Sequence, residues 1–292
     1  MSWSVFRRLT RYSTGLTAGC ICVGILSQSL TRSISAESRE PQKIFKGGPI
    51  FLSLPLESCE LVNHNTKRLR FKLPGENCVS GLPLTSALLT LSWPKTSWTP
   101  VLRPYTPVSS SADAGFLDLI VKHYPNGKVS THLHSLKEGD TLMFAAPLKG
   151  YFWKANEFSH ITLIAGGAGI TPIFQLTQGI LRNPLDSTAI TLVFGVQSDA
   201  DLLLQKEIDQ FSKKFPDRLN VTYVISKPSE GSPHRKGYIT KELLEEVLPQ
   251  SRVNTKVFIC GPPPLEHILT GKRLSSGILG ELGFQKDQIY KF

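Results

Sequence analysis

Between about Phe51 and Pro147 the apolar residues come in short alternating runs separated by Gly, Pro and Asn, as in LRFKL (69–73), GFLDLIVKHY (115–124) and DTLMFAAP (140–147). Alternation with period two, broken by turn residues, predicts strands of an antiparallel sandwich or barrel. The rhythm changes near 149–159. From His160 onward the apolar runs ITLIAG, AITLVFG, LNVTYVIS and KVFICG alternate with TPIFQLTQGILRN, DADLLLQKEIDQFSKKF and TKELLEEVL, whose apolar spacing is helical. That alternation predicts a parallel sheet covered on both faces, with ligands at the carboxyl ends of its strands. The expected architecture is two-domain: an N-terminal antiparallel β-barrel over 45–150, then an α/β Rossmann-like parallel-sheet domain over 151–292.

Residues 1–44 do not share either rhythm. The first 36 contain no acidic side chain and carry Arg7, Arg8, Arg11 and Arg32 among Ser and Thr, with Phe6, Leu9 and Tyr12 interleaved. An Arg- and Ser-rich, acid-poor start predicts a mitochondrial targeting segment. Gly15 to Leu30 is uncharged and apolar but diluted by Ser, Thr, Gln and Gly, which suits a weak membrane anchor. A secretory signal peptide is the competing reading, and a clear A-x-A cleavage pattern is missing. Residues 33–48 read as a linker.

Composition narrows the function classes. Of the 292 residues 40% are hydrophobic and 19% charged, so disorder and fibrous repeats are excluded. The formal net charge of +10 admits nucleic acid, an anionic membrane or an acidic protein as partner. No Lys/Arg run, zinc finger or RNA-binding aromatic motif is present, which places nucleic acid last. Five cysteines without a CxxC pair or a suitably spaced His pair indicate neither a disulfide framework nor a metal site.

Five segments carry candidate chemistry. VLRPYTPVSS (101–110) sets Pro104 and Pro107 around Tyr105-Thr106, so it predicts an edge strand whose backbone is spared for a ligand. Arg103 and Tyr105 share a face there, a cation beside a flat ring. HYPNGKVSTHL (123–133) is either a solvated turn with Ser130 as cap or a phosphate holder at a helix start through Lys128 and nearby amides. GGAGITP (166–172) is a Gly-rich turn between strand and helix, with Thr171 as candidate cap and Pro172 in the first turn. It departs from GxGxxG, and is either structural or suited to a phosphate-bearing ligand. KVFICGPPP (256–264) ends a strand at Cys260 and fixes the chain after it; Cys260 is a packing cysteine or a nucleophile with no base assigned. In FGVQSDADLLLQKEI (194–208), Asp199 and Asp201 follow a strand, where they would favour a helix start or repel a 2′-phosphate, favouring NADH over NADPH if a dinucleotide binds.

Taken in order, RPYTPVS, GKVS, GAGITP and CGPPP resemble the ferredoxin reductase superfamily, and within it the NADH–cytochrome b5 reductases, from about residue 45 to Phe292. With the basic apolar leader and the ending FQKDQIYKF, the chain looks most like the mitochondrial reductases of yeasts. The resemblance implies an FAD- and NADH-dependent oxidoreductase that passes a hydride from NADH to FAD and then single electrons to a haem protein, cytochrome b5 first. It implies a monomer held by its N-terminal segment at the mitochondrial outer membrane or in the intermembrane space. By the same match Arg103 pairs with the FAD pyrophosphate, Pro104 and Tyr105 line the flavin, and Thr106 bonds near its reactive nitrogen. Lys122 and Tyr124 touch the flavin from the next strand, and Gly127, Lys128, Val129 and Ser130 hold its phosphates. Thr171 stands at the flavin–nicotinamide junction. Gly167 and Gly169 approach NADH, Asp201 reads its adenosine ribose, and Cys260, Gly261 and Pro262 lie by the nicotinamide. Thr106, Thr171 and Cys260 are the implied catalytic set. Val129, Ala146-Pro147, Gln205 and Leu265-Glu266 depart from the usual family residues, Gln205 where arginine is common. The alternatives are a related flavoprotein with another acceptor such as a quinone, a turnover-deficient flavin-binding assembly scaffold at a membrane, and a colourless phosphate-binding regulatory module.

Overall fold

The computed structural model describes residues 40–94, 97–272 and 276–292. The leader and anchor expected before the fold lie outside the described residues. Among those described, no helix is long and apolar enough to cross a membrane. The expected linker joins the fold early: β1 (Gln42–Lys43) pairs with β4 (Cys78–Val79), and Phe45 is buried edge-to-face against Phe144. An aromatic ring at the start of a core outweighs the linker-like composition around it.

The N-terminal half is one antiparallel ladder. Its strands are β2 (Leu52–Asn63), β3 (Thr66–Lys72), β5 (Ala87–Ser92), β6 (Val101–Tyr105), β7 (Phe116–Lys122) and β8 (Thr141–Leu148), in the order β6-β5-β8-β2-β3-β7. Helix α1 (Lys128–Ser135) follows β7. Alternate residues such as Leu54, Leu56, Leu69, Phe71, Leu117, Leu119 and Phe144 point inward and are fully buried, each contributing roughly 1.5–3 kcal/mol by burial. β6 and β7 are the two ends of the ladder and do not hydrogen-bond to each other. The expected barrel is thus open along one seam, and the seam is where Pro104 sits without disturbing a ladder.

The C-terminal half is a parallel sheet. Its strands are β9 (His160–Gly166), β10 (Ala189–Val196), β11 (Leu219–Ile225), β12 (Arg235–Lys236), β13 (Thr255–Cys260) and β14 (Ile289–Lys291), in the order β12-β11-β10-β9-β13-β14. Helices α2 (Ile170–Arg182), α3 (Gln205–Lys214), α4 (Lys241–Val247), α5 (Pro263–Thr270) and α6 (Gly277–Glu281) pack on it. The chain leaves β9 in one direction and returns on its other side with β13, so the carboxyl ends of β9 and β13 flank a switch point. The run DADLLLQKEIDQFSKKF is not one helix. Asp199–Asp201 make a single 3-10 turn, Leu204 turns left-handed at φ 57°, and α3 begins at Gln205. That break lets Leu203 and Leu204 both enter the core.

The two halves share a core. Val108 and Ile120 of the barrel pack with Ile170, Ile173 and Phe174 of α2 in one cluster. Two buried amides pin the same face: Gln175 Nε2 donates to the Ser86 carbonyl at 3.1 Å and Gln178 Nε2 to that of Val108 at 2.9 Å. Buried donors with partners fix orientation as well as affinity, since a shift leaves them unsatisfied.

Candidate active site

A cleft of about 1190 Å³ opens between the two halves. It exceeds the ~300–1,000 Å³ of ordinary small-molecule sites, so it has room for more than one such ligand. The barrel wall brings Arg103, Pro104, Tyr105 and Thr106 from β6 together with Lys122 and Tyr124 from the end of β7. Register sets this geometry: Leu88 opposite Tyr105 and Thr90 opposite Arg103 leave the outer edge of β6 unpaired. Arg103 is exposed, and its guanidinium reaches only the neighbouring Leu102 carbonyl at 2.8 Å, with no carboxylate partner among the described residues. Burial pushes the Tyr105 phenol up to about 12, with Arg103 pulling the other way, so the ring is neutral at physiological pH.

Gly127, Lys128, Val129 and Ser130 line the same wall at the start of α1. Gly127 is the N-cap, no side chain caps the helix and no acid stands in its first turn. Ser130 does not cap: its hydroxyl accepts from the Tyr124 amide at 3.2 Å and donates to the Gly127 carbonyl at 3.1 Å, closing the turn. The uncapped amides and Lys128 form an anion seat, with the Arg103 cation on the same wall. These donors fit the pyrophosphate of FAD, and the neutral Tyr105 ring with Thr106 fits its flat heterocycle.

The opposite wall is mostly backbone. Gly167 and Gly169 line it in the turn after β9, and Cys260, Gly261 and Pro262 line it after β13. A Cβ on Gly169 would lie 2.3 Å from the Cys260 carbonyl oxygen, so only glycine lets the two strand ends meet. Gly167 has φ 54° and open space around it, a backbone bared to the cleft. Thr171 also lines the cleft but does not cap α2; Gly169 takes the N-cap position, and the Thr171 hydroxyl donates to Ala168 at 3.3 Å. Again no acid or side-chain cap occupies the helix start, which fits the pyrophosphate of a second nucleotide. Burial, with the Glu266 charge adding, pushes the Cys260 thiol up to about 12, so it is a neutral wall and not a nucleophile.

Asp201 stands apart. Of the residues expected at the site it alone does not line the cleft. It is buried, and its carboxylate accepts from Lys122 Nζ at 2.9 Å and from Ser198 Oγ at 2.7 Å. Burial would raise its pKa, but the bonds from Lys122 and Ser198 outweigh that and hold it below the usual value. The sequence reading missed Lys149, Gly150, Tyr290 and Phe292, which line the cleft. Tyr290 enters through β14, which pairs with β13, and Phe292 follows it, its amide bonding the Ile259 carbonyl at 3.1 Å. The aromatic ending YKF was the only local signal of this.

Residues 53–153 match the oxidoreductase FAD-binding domain family, and residues 163–270 the oxidoreductase NAD-binding domain family. The chain is 47% identical over 267 residues to NADH-cytochrome b5 reductase 2 of Pyricularia oryzae, covering 89% of this chain and 81% of that protein. It belongs to the NADH–cytochrome b5 reductase family. The protein of the same description from Emericella nidulans is 46% identical, with 91% of this chain and 85% of that one covered. Among solved structures, the cytochrome b5 reductase domain of Ulva prolifera nitrate reductase superposes with a TM-score of 0.76 at 28% identity, over 85% of this chain and all of that one. The reductase thus carries an FAD-binding barrel and an NAD-binding α/β domain, and its two anion seats lie one on each.

Proposed function

We propose that this reductase takes electrons from NADH and passes them, through FAD bound on the barrel wall, to a haem protein of the cytochrome b5 type. The observation that carries the reading is the pairing of two uncapped helix starts on opposite walls of one cleft, with Thr106 and Thr171 lining it from either side. When bound, FAD supplies the chemistry: it accepts a two-electron hydride and returns electrons one at a time. Arg103 and the amides at Lys128 would hold its phosphates, with Tyr105 and Tyr124 offering flat surfaces to its rings and Thr106 a hydroxyl donor. The Thr171 hydroxyl, bound only by a 3.3 Å bond to the Ala168 carbonyl, would be available to the nucleotide. Gly167, Gly169, Gly261 and Pro262 would let NADH approach the backbone, with Cys260, Tyr290 and Phe292 as the apolar wall beside it. Covalent catalysis has no part in this scheme.

The acceptor reading is supported by the names of the relatives and by the basic balance of the chain, +10 overall, which would steer an acidic haem protein. The mitochondrial address and membrane attachment rest on the acid-poor, Arg-rich first 36 residues alone. A fusion of those residues to a fluorescent protein that stays cytosolic would remove both. The decisive experiment is an anaerobic absorbance titration of the full chain. A yellow protein bleached by one equivalent of NADH, then reoxidised by cytochrome b5 at a rate falling with salt, is the expected result. A yellow protein that NADH does not bleach would turn the reading toward a flavin-binding scaffold, and one that cannot be loaded with FAD would end it.

A further inference from the structure

A strained residue sits where the two halves meet. Thr85, two residues before β5, has φ 68°, a left-handed backbone that a β-branched side chain rarely adopts. It is buried, and of the five non-glycine residues with positive φ among those described it alone lines the cleft. Such strain persists only where the surroundings over-determine it. A glycine would hold the same backbone freely, so what the threonine adds is its side chain.

Three consecutive residues of the barrel half grip the α/β half at this point. Leu84 packs into its core, so close to Gly179 of α2 that a Cβ there would strike the leucine side chain. The Ser86 carbonyl accepts from Gln175 Nε2 of α2 at 3.1 Å. Between them, the Thr85 hydroxyl donates to the Tyr151 carbonyl at 2.6 Å, and the Thr85 carbonyl oxygen occupies the place where a Cβ on Gly150 would fall. Gly150 and Tyr151 belong to the segment that carries the chain from β8 to β9. The Tyr151 ring stands edge-on to Phe258 at 5.1 Å and to Tyr290 at 5.3 Å, and Tyr290 lines the cleft. One hydroxyl thus ties the barrel to Tyr151 and, through its ring, to the aromatic side of the cleft on β13 and β14. The joint is held against local preference in a second way. Ser86 Oγ and Gln175 Oε1 are buried with no hydrogen-bond partner among the described residues.

We propose that Thr85 is a positioning residue for the reaction: its hydroxyl fixes the crossing segment and β14 against the barrel, and so sets the distance between the two walls of the cleft. The proposal rests on the reading that NADH reduces FAD across that cleft. Three variants of the FAD-loaded full chain test it. Thr85→Val keeps the branched shape without the hydroxyl, and Thr85→Ser keeps the hydroxyl. Thr85→Gly takes the turn without strain and also lacks the hydroxyl, which covers the case of a valine variant that does not fold. In stopped-flow bleaching, valine and glycine should lower the limiting rate about tenfold, as a displacement of a fraction of an ångström would, while half-saturating NADH stays nearly unchanged. Serine should restore the rate. Without NADH, hydrogen exchange in segments 148–158 and 286–292 should quicken about tenfold in the same two variants, with β2 and β3 unaffected. A glycine variant at full rate overturns the proposal, because the turn alone would then suffice. So does a serine variant that behaves like valine, which would assign the effect to the methyl group, or exchange that rises equally throughout the barrel, which would assign it to stability. Exchange needs no turnover. A wild-type protein that NADH bleaches but whose variants match it loses only this inference. One that NADH does not bleach, yet shows the stated exchange pattern, loses only the reductase reading.

Discussion

The two walls of the cleft are built by different means. The barrel wall works with side chains: the Arg103 guanidinium, the Lys122 and Lys128 ammonium groups and the Tyr105 and Tyr124 rings come from the two end strands of the ladder, β6 and β7, and from the turn and helix start after β7. The α/β wall works by leaving side chains out, with Gly167, Gly169 and Gly261 opening the backbone at two strand ends. A side-chain contact can be weakened in steps. A backbone approach fails at once when a Cβ enters, because neither main chain can yield.

The contrast predicts a hierarchy of damage. Gly169→Ala strikes hardest, since its new Cβ meets the Cys260 carbonyl, and moving the start of α2 by about 1 Å costs on the order of 100-fold in reduction by NADH. Stopped-flow bleaching should show that loss while flavin content stays near normal; loss of FAD together with reduction would mean that the walls are not independent. Arg103→Ala should weaken FAD retention by about 1.5–3 kcal/mol, the range for a charge-assisted hydrogen bond. Flavin fluorescence released on dilution measures it, and Arg103→Lys should recover part of the loss; an unchanged affinity would remove the side-chain account of this wall.

The bridge between the halves comes next. Asp201→Asn removes the charge that meets Lys122 and should cost about 1–3 kcal/mol of stability at neutral pH. Because the Asp201 pKa is depressed in the folded state, its contribution is fully present above the ordinary aspartate value near ~4 and is lost as pH falls through the lower folded value. Melting curves of the two proteins should therefore differ at pH 7 and converge in acid. A gap that persists there would assign the effect to packing. Cys260 gives the smallest response: with its pKa near 12, the thiolate fraction at pH 7 is on the order of 10⁻⁵. Iodoacetamide at pH 7 should leave activity nearly unchanged over the time that alkylates a free thiol, and rapid inactivation relieved by bound NAD+ would show an activated cysteine instead.

Much of the molecule was legible along the chain, for reasons specific to particular segments. The strand runs at 69–73, 115–124 and 140–147 fall within or overlap β3, β7 and β8, because period-two burial is written locally. Pro104 announced an edge, since a residue without an N–H is tolerated only where no neighbour needs one. Gly167 and Gly169 announced a bared backbone. The helix over DADLLLQ was misread because its leucines have helical spacing, yet Leu203 and Leu204 reach the core through a left-handed residue that only packing selects.

What the sequence determined by itself was the order of elements, the two rhythms and the five candidate segments, all set by local sterics and hydrophobic period. What only the tertiary structure decided was which of these segments meet. Lys122 and Asp201 are 79 positions apart and become an ion pair across the halves, in which Lys122 lines the cleft and Asp201 does not. Tyr290 and Phe292 join the cleft only because β14 adds itself beside β13. The physical reason is the same in each case. Backbone preferences act over a few residues, whereas the pairing of buried charges and the closing of a cleft depend on which distant surfaces the shared core presses together.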